Sequence, residues 1–283
     1  MRTSSRLLGG IPHLALLLGA AIFLFPVYMA LIGSTHDAGT IARGHMPLTP
    51  GANTITNYSQ AWTSGQGERQ RGEPVRRLML NSFIMALSIA VGKIAISILS
   101  AYAVVFFRFP LRMFFFWMIF ITLMLPVEVR IIPTYKVVTD LGLIDSFAGL
   151  TIPLVASATA TLIFRQFFLS IPDEFVEAAK IDGAGALRFF WSILLPITRT
   201  TIAALFVILF IYGWNQYLWP LLITTSSGME TIIVGITKMI GTAEASTDWH
   251  LVMATAILAM LPPVAIVILM QRWFVKGLVE TEK

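Results

Sequence analysis

The sequence predicts an all-α membrane protein of six transmembrane helices, and three observations carry that prediction. Hydrophobic residues make up 57% of the 283 and charged residues only 12%, whereas a soluble globular domain carries about 25% charged residues. Mean hydropathy is +0.79. Uncharged runs long enough to cross a bilayer, which needs roughly 18 or more apolar residues, recur along the chain. Such runs are helices, because inside lipid every backbone polar group must be bonded within its own segment or around a closed barrel. Barrel strands are about ten residues long and alternate in polarity, which these runs do not.

The first span is read at residues 7–35. Arg2 and Arg6 precede it, as in a signal peptide, but the run exceeds a signal core of about 7–15 residues and no small-residue cleavage site follows, so the span is retained. The second covers 78–107 with Lys93 inside it, and the third covers 113–127 with an extension to 132. The fourth is 146–164, the fifth 200–224 and the sixth 251–271. Residues 36–77, rich in Gly, Thr, Asn and charge, read as a long, partly ordered extracytoplasmic loop. With no internal repeat or low-complexity tract, the chain 1–283 reads as one domain.

Net charge is +5 and the isoelectric point 9.7. Basic residues that set orientation explain this without a nucleic-acid partner. With the N-terminus inside, eleven cations are cytoplasmic (Arg2, Arg6, Arg108, Arg112, Arg165, Lys180, Arg188, Arg199, Arg272, Lys276, Lys283) and eight lie outside. Five of those eight are in the long loop, which counts for less, although Arg76 and Arg77 sit close to the second span and oppose the assignment. The expectation is a multi-pass protein of the cytoplasmic membrane with both termini in the cytoplasm. The absence of cysteine excludes disulfides and thiolate metal sites, and the four histidines have no ligand spacing, so no metal site is expected. No nucleophile, base and orienting group fall together, and no phosphate-binding glycine loop occurs. An enzyme, and ATP hydrolysis by this chain, are therefore not expected.

A polar island at about 170–198 interrupts the spans. Pro172 suits a first helical turn, Asp173 and Glu174 favour the positive end of the helix dipole, and Gly183 suits a stop. Ala178 and Ala179 keep one surface small, Glu177 presents a carboxylate beside it, and Glu177 and Lys180 are spaced for a weak surface pair. Three further places carry polar groups at membrane depth. Lys93, among Ser88, Ser97 and Ser100, either meets an anion or pairs and packs against a neighbouring helix. Glu128 and Arg130 either end a helix at the interface or line the mouth of a pathway. In Trp214–Pro220, Asn215 and Gln216 need partners inside a span, and Pro220 can kink it, while Tyr217 and Trp219 also fit an interfacial aromatic belt.

Glu177-Ala178-Ala179, Gly183, Ile193, Leu195 and Pro196 together form the pattern E-A-A-x3-G-x9-I-x-L-P. This closely resembles the cytoplasmic loop of importer-type ABC permeases. The resemblance implies that the loop holds a coupling helix, with Glu177, Ala178, Ala179, Asp182 and Gly183 docking on an ATPase subunit. Further stretches (80–83, 108–112, 116–130, 156–161, 164–168 and 211–222) are similar to the second permease subunit of sn-glycerol-3-phosphate importers in the carbohydrate-uptake group. That likeness is weakest over 36–77 and 225–250. It implies a heterodimer with a second permease, a dimer of ATPase subunits that use ATP and magnesium, and an extracytoplasmic binding protein, with no cofactor held by this chain. The implied substrate is sn-glycerol-3-phosphate or a related glycerophosphodiester, and the alternative is a neutral sugar or oligosaccharide. Asn215, Gln216, Lys93, Glu128 and Arg130 are the candidate pathway residues. A channel would need a polar ring repeated by symmetry, and a membrane enzyme would need paired acid, His or metal groups; neither pattern is present.

Overall fold

The computed structural model describes residues 4–44, 46–65, 72–124, 127–240 and 247–280; side chains at 4–11, 122–124, 127–128 and 274–280 lie outside that description. Every regular element among the described residues is helical. From the N-terminus these are α1 (Ser4–Gly33), α2 (Ala38–Ala42), α3 (Thr54–Thr63), α4 (Val75–Phe106), α5 (Arg112–Met124), α6 (Val127–Asp140) and α7 (Phe147–Thr151). There follow α8 (Ala158–Leu169), α9 (Asp173–Ile181), α10 (Ala186–Phe189), α11 (Leu195–Trp214), α12 (Leu218–Ile223), α13 (Ile232–Met239) and α14 (Trp249–Glu280). By length and composition four stretches can cross a bilayer: Pro12–Gly33, Val75–Phe106, Ala186–Trp214 and Trp249–Trp273. A fifth is the pair Phe147–Leu154 and Ala158–Leu169, bent by 50°, and a shorter apolar helix covers Arg112–Ile121. The all-α membrane class is as the composition predicts.

Two expected spans differ in their ends. The fifth, read at 200–224, instead runs from Ala186 through a π-helical turn at Phe190–Leu194 to Trp214. It reaches back past Arg188 and Arg199 because basic residues are tolerated at a helix end near the interface. It stops early because Asn215 caps it and Pro220, lacking an N–H, sits in the first turn of a new helix, α12, rather than kinking the old one. The fourth, read at 146–164, is broken between Leu154 and Ala158, where Ser157 Oγ accepts the Ala160 N–H at 3.3 Å and starts α8.

The chain divides into two compact units, residues 1–79 with 232–261, and 80–231 with 262–283. In the first, the described parts of the loop include α2 and α3, and hydrogen bonds hold α3 to the end of α1. Asn57, buried on α3, donates to the Ser34 and His36 carbonyls at 2.8 Å each, and the Ser34 hydroxyl meets the Tyr58 hydroxyl at 2.9 Å. α2 starts where Asp37 accepts the Thr40 N–H at 2.9 Å. α13 lies close on the start of α4, since a Cβ on Gly235 would stand 2.4 Å from Leu78 Cδ1.

The second unit packs around Met85, Ile89, Ile131, Val138, Leu150, Trp219 and Ile223. α4 is its axis. A Cβ on Gly213 of α11 would meet the Ala86 Cα at 2.9 Å, and one on Gly92 would meet Val155 at 2.8 Å. These are the close helix approaches that small residues permit inside membranes. Side chains that donate to main-chain carbonyls tie these elements together. Asn81 donates to Gly228 and Glu230 at 3.0 and 2.9 Å, Trp219 Nε1 to Gly149 at 3.1 Å, and Ser97 to Ser157 at 3.2 Å. Asp145, with φ +52, clasps the loop after α12: its carboxylate accepts the Thr225 and Ser226 N–H groups at 2.7 and 3.0 Å and also the Thr225 hydroxyl.

Two outcomes are expected. Gly213→Val should destabilise the protein by about 1–3 kcal/mol, the usual range for overpacking a close contact, measured as a lower unfolding midpoint in detergent. For Asp145, the hydrogen bond from the Thr225 hydroxyl, then that from the Ser226 N–H, holds its carboxyl below the ordinary range. A folded state that holds the proton more weakly gains stability that is complete above the unfolded value of about 3.9 and is lost as pH falls through the lower folded value. The midpoint difference between the parent and Asp145→Asn should be constant near neutrality and shrink below about pH 4. A difference that persists undiminished at about pH 2 would show that the carboxylate does not make the clasp.

Candidate functional site

α9 forms where the local rules place it. Pro172 is its cap with φ −59°, Asp173 and Glu174 occupy the first turn and Lys180 the last. The helix ends at Asp182, and Gly183 turns the chain with φ +68°, a conformation that costs a residue with a Cβ about 1–2 kcal/mol. A Cβ there would touch nothing within 4 Å, so backbone freedom, and not space, is what the glycine supplies. Glu177, Ala178, Asp182 and Gly183 are exposed, while Ala179 is buried. Phe175, Ile181 and Leu187 are also exposed, at 48, 85 and 75%. The outward surface thus mixes exposed apolar and small side chains with the carboxylates of Asp173, Glu174, Glu177 and Asp182, and Glu177 stands next to Ala178. The permitted Glu177–Lys180 pair is not made, in contrast to Arg77–Glu73 at 3.7 Å and Lys136–Asp140 at 3.0 Å. Lys180 lines a recess behind α9 instead.

Two of the membrane-depth candidates, Lys93 and Gln216, meet at Tyr212. Lys93 is 7% exposed, with Nζ 4.2 Å from the centroid of the Tyr212 ring. It turns into the bundle and rests on an aromatic face, an arrangement that stabilises a desolvated cation. Gln216 donates to the Tyr212 carbonyl at 3.0 Å, satisfying a group that the end of α11 leaves free. Asn215 caps α11 and is exposed, so it lies in the break between α11 and α12 and not deep within a span. Tyr217 is exposed beside it, whereas Trp219 is buried and hydrogen-bonded, which removes Trp219 from an aromatic belt. Arg130 is half-buried on α6; the Glu128 side chain lies outside the described residues.

Sequence reasoning missed Tyr102, whose hydroxyl donates to the Ala186 carbonyl at 2.8 Å just after α9. Its one signal was a tyrosine in an otherwise apolar helix, where a hydroxyl needs a partner. It also missed the π-helical turn before Pro196.

The family model for the binding-protein-dependent transport system inner membrane component matches residues 93–280. A sn-glycerol-3-phosphate transport system permease protein UgpE from Rhizobium meliloti (strain 1021) is 64% identical over 282 residues, covering 100% of this chain and 99% of the relative. The protein of that name from Yersinia pestis bv. Antiqua (strain Antiqua) is 56% identical and covers 96% of each. Among solved structures, a bacterial ABC transporter involved in the import of the acidic polysaccharide alginate superposes with a TM-score of 0.81 at 21% identity, over 97% of this chain and 99% of that one. That last likeness speaks for the fold.

Gly183→Ala should leave α9 in place but weaken its stop by about 1 kcal/mol, the cost of left-handed backbone for a residue with a side chain. Faster amide hydrogen exchange over 178–184, with unchanged exchange in α4, is the readout.

Proposed function

The chain belongs to the family of inner-membrane components of binding-protein-dependent transport systems, and on that premise we propose that it carries sn-glycerol-3-phosphate inward. It is a permease subunit of an ABC importer, a multi-pass inner-membrane protein without a catalytic site of its own. The observation that carries the substrate is the 64% identity along 100% of the chain to a relative named for that compound. Identity spread over both units, and not confined to one loop, favours the same cargo.

In this reading the chain is one permease domain of six spans with both termini in the cytoplasm, the sixth span being supplied by α5. The loop 36–77 lies outside and α9 inside. α9 docks on an ATPase subunit through Glu177, Ala178, Ala179, Asp182 and Gly183, and its exposed apolar and small side chains support that role because they cost energy in water until a partner covers them. A second permease completes the pathway, two ATPase subunits bind the ATP and magnesium, and a binding protein delivers substrate from outside. This chain holds no cofactor. The cargo is an anion, and an unpaired charge at membrane depth is too costly to carry, so donors or cations must line its path. Asn215, exposed at the break after α11, is best placed for this, with Gln216 beside it. Lys93 and Arg130 contribute positive potential or helix packing, and Glu128 or Arg130 lines the outer mouth of the pathway. Closing of the ATPases shifts the permease pair between outward and inward forms, which works only because the pair binds cargo differently in each.

Vesicles holding the full complex should accumulate labelled sn-glycerol-3-phosphate on ATP addition; uptake of a neutral disaccharide with none of the phosphoester would overturn the substrate. Glu177→Lys should leave the chain inserted but lose co-purification of the ATPase. Asn215→Ala should lower uptake about tenfold, the effect of losing one hydrogen bond to a charged group, with assembly intact. Undiminished uptake would place the cargo contacts on the second permease.

A further inference from the structure

Tyr102 stands near the C-terminal end of α4, 7% exposed. Its ring lies among aromatic neighbours, with centroids 5.0 Å from Phe190, 5.2 Å from Phe107 and 5.5 Å from Phe106. Its hydroxyl reaches across 84 residues of sequence to the Ala186 carbonyl. Between this end of α4 and the inner side of α9 lies a recess of about 200 Å³, bordered by Tyr102, Phe106, Val176, Ala179 and Lys180. α9 therefore does not rest on α4 through a filled contact along its length. The Tyr102–Ala186 bond reaches the first residue after the short turn 182–185 that follows α9. Ala186 begins the long stretch that continues through the π-helical turn into α11, so the bond ties α4 to the root of α11 directly beside α9.

We infer that Tyr102 is a positioning residue for energy coupling: its hydroxyl, braced by the surrounding rings, transmits movement of α9 to α4 and so to the transport pathway. The inference rests on the reading of α9 as the docking helix. A hydrogen bond with a fixed direction holds distance and angle, whereas a recess transmits neither push nor pull. The empty volume behind α9 leaves the helix room to tilt when its partner moves, and the Tyr102 bond converts that tilt into displacement of α4. α4 is also where Gly92, Ala86 and Asn81 make close or hydrogen-bonded contacts with the rest of its unit, so displacement at one end reaches elements near the other. The phenyl ring alone would keep the burial but lose the directional link.

The test uses the complete importer in proteoliposomes with sn-glycerol-3-phosphate, its binding protein and ATP. Tyr102→Phe keeps the ring and removes only the hydroxyl. The expected result is an assembled complex with parental basal ATPase activity and about fivefold fewer substrate molecules moved per ATP hydrolysed, the factor that one net hydrogen bond corresponds to. Phe106→Leu, which trims the brace and keeps the bond, should lower that ratio less. An unchanged ratio in Tyr102→Phe overturns the inference, and so does a fall in transport and hydrolysis in equal proportion, which would mark a purely structural role. Glu177→Lys separates the two readings. Detachment of the ATPase in that variant, with normal coupling in Tyr102→Phe, removes only the present inference, whereas retention of the ATPase removes the docking role of α9 itself.

Discussion

A backbone carbonyl released from a helix inside lipid has no water to turn to, and this constraint organises the second unit. At several helix ends and bends there, a side chain donates to a main-chain carbonyl. Trp219 serves Gly149, Ser97 serves Ser157, Asn81 serves both Gly228 and Glu230, and Gln216 serves Tyr212. An unmade bond of this kind costs several kcal/mol at membrane depth, so each break in the helices is tolerable only with its donor present. The polar residues in an apolar chain are thus mostly the complement of its irregularities.

The same logic separates polar groups that hold the fold from those free to act. Lys93 is enclosed against the Tyr212 ring, and Gln216 is engaged with the Tyr212 backbone. Asn215 and Tyr217, by contrast, remain exposed at the gap between α11 and α12. Residues that meet cargo must be accessible, and these two are. Exposure therefore ranks Asn215 above Lys93, an order that charge alone would reverse.

α9 shows the opposite design. Its caps and stop are local, its outward side chains have no cover, and a recess separates much of its inner side from α4. A helix with complete backbone bonding but little burial can shift as a unit, since moving it disrupts few packed contacts. Stiffness is concentrated instead where α4, Ala186 and the aromatic cluster meet.

Much of this was legible in one dimension. Apolar run length predicted helices at α1, α4 and α14, and the pattern Pro172, Asp173, Glu174 and Gly183 signalled α9, with Pro172 one position outside the first turn expected of it, because helix caps and stops depend on near neighbours only. The exposed Glu177 and Ala178 also follow from that local pattern. What the sequence did not reveal depends on distant partners. Asn215 reads as buried in a span until α12 is seen to restart at Leu218, Trp219 reads as an interfacial belt until Gly149 comes within reach, and Tyr102 reads as one more apolar-helix aromatic until Ala186 meets it. Hydropathy and capping are properties of a residue and its few neighbours, so the sequence alone determined the class, most of the helices and the caps of α9. Which polar group answers which freed carbonyl is a property of positions brought together across 70 or 84 residues, and only the tertiary structure decided it.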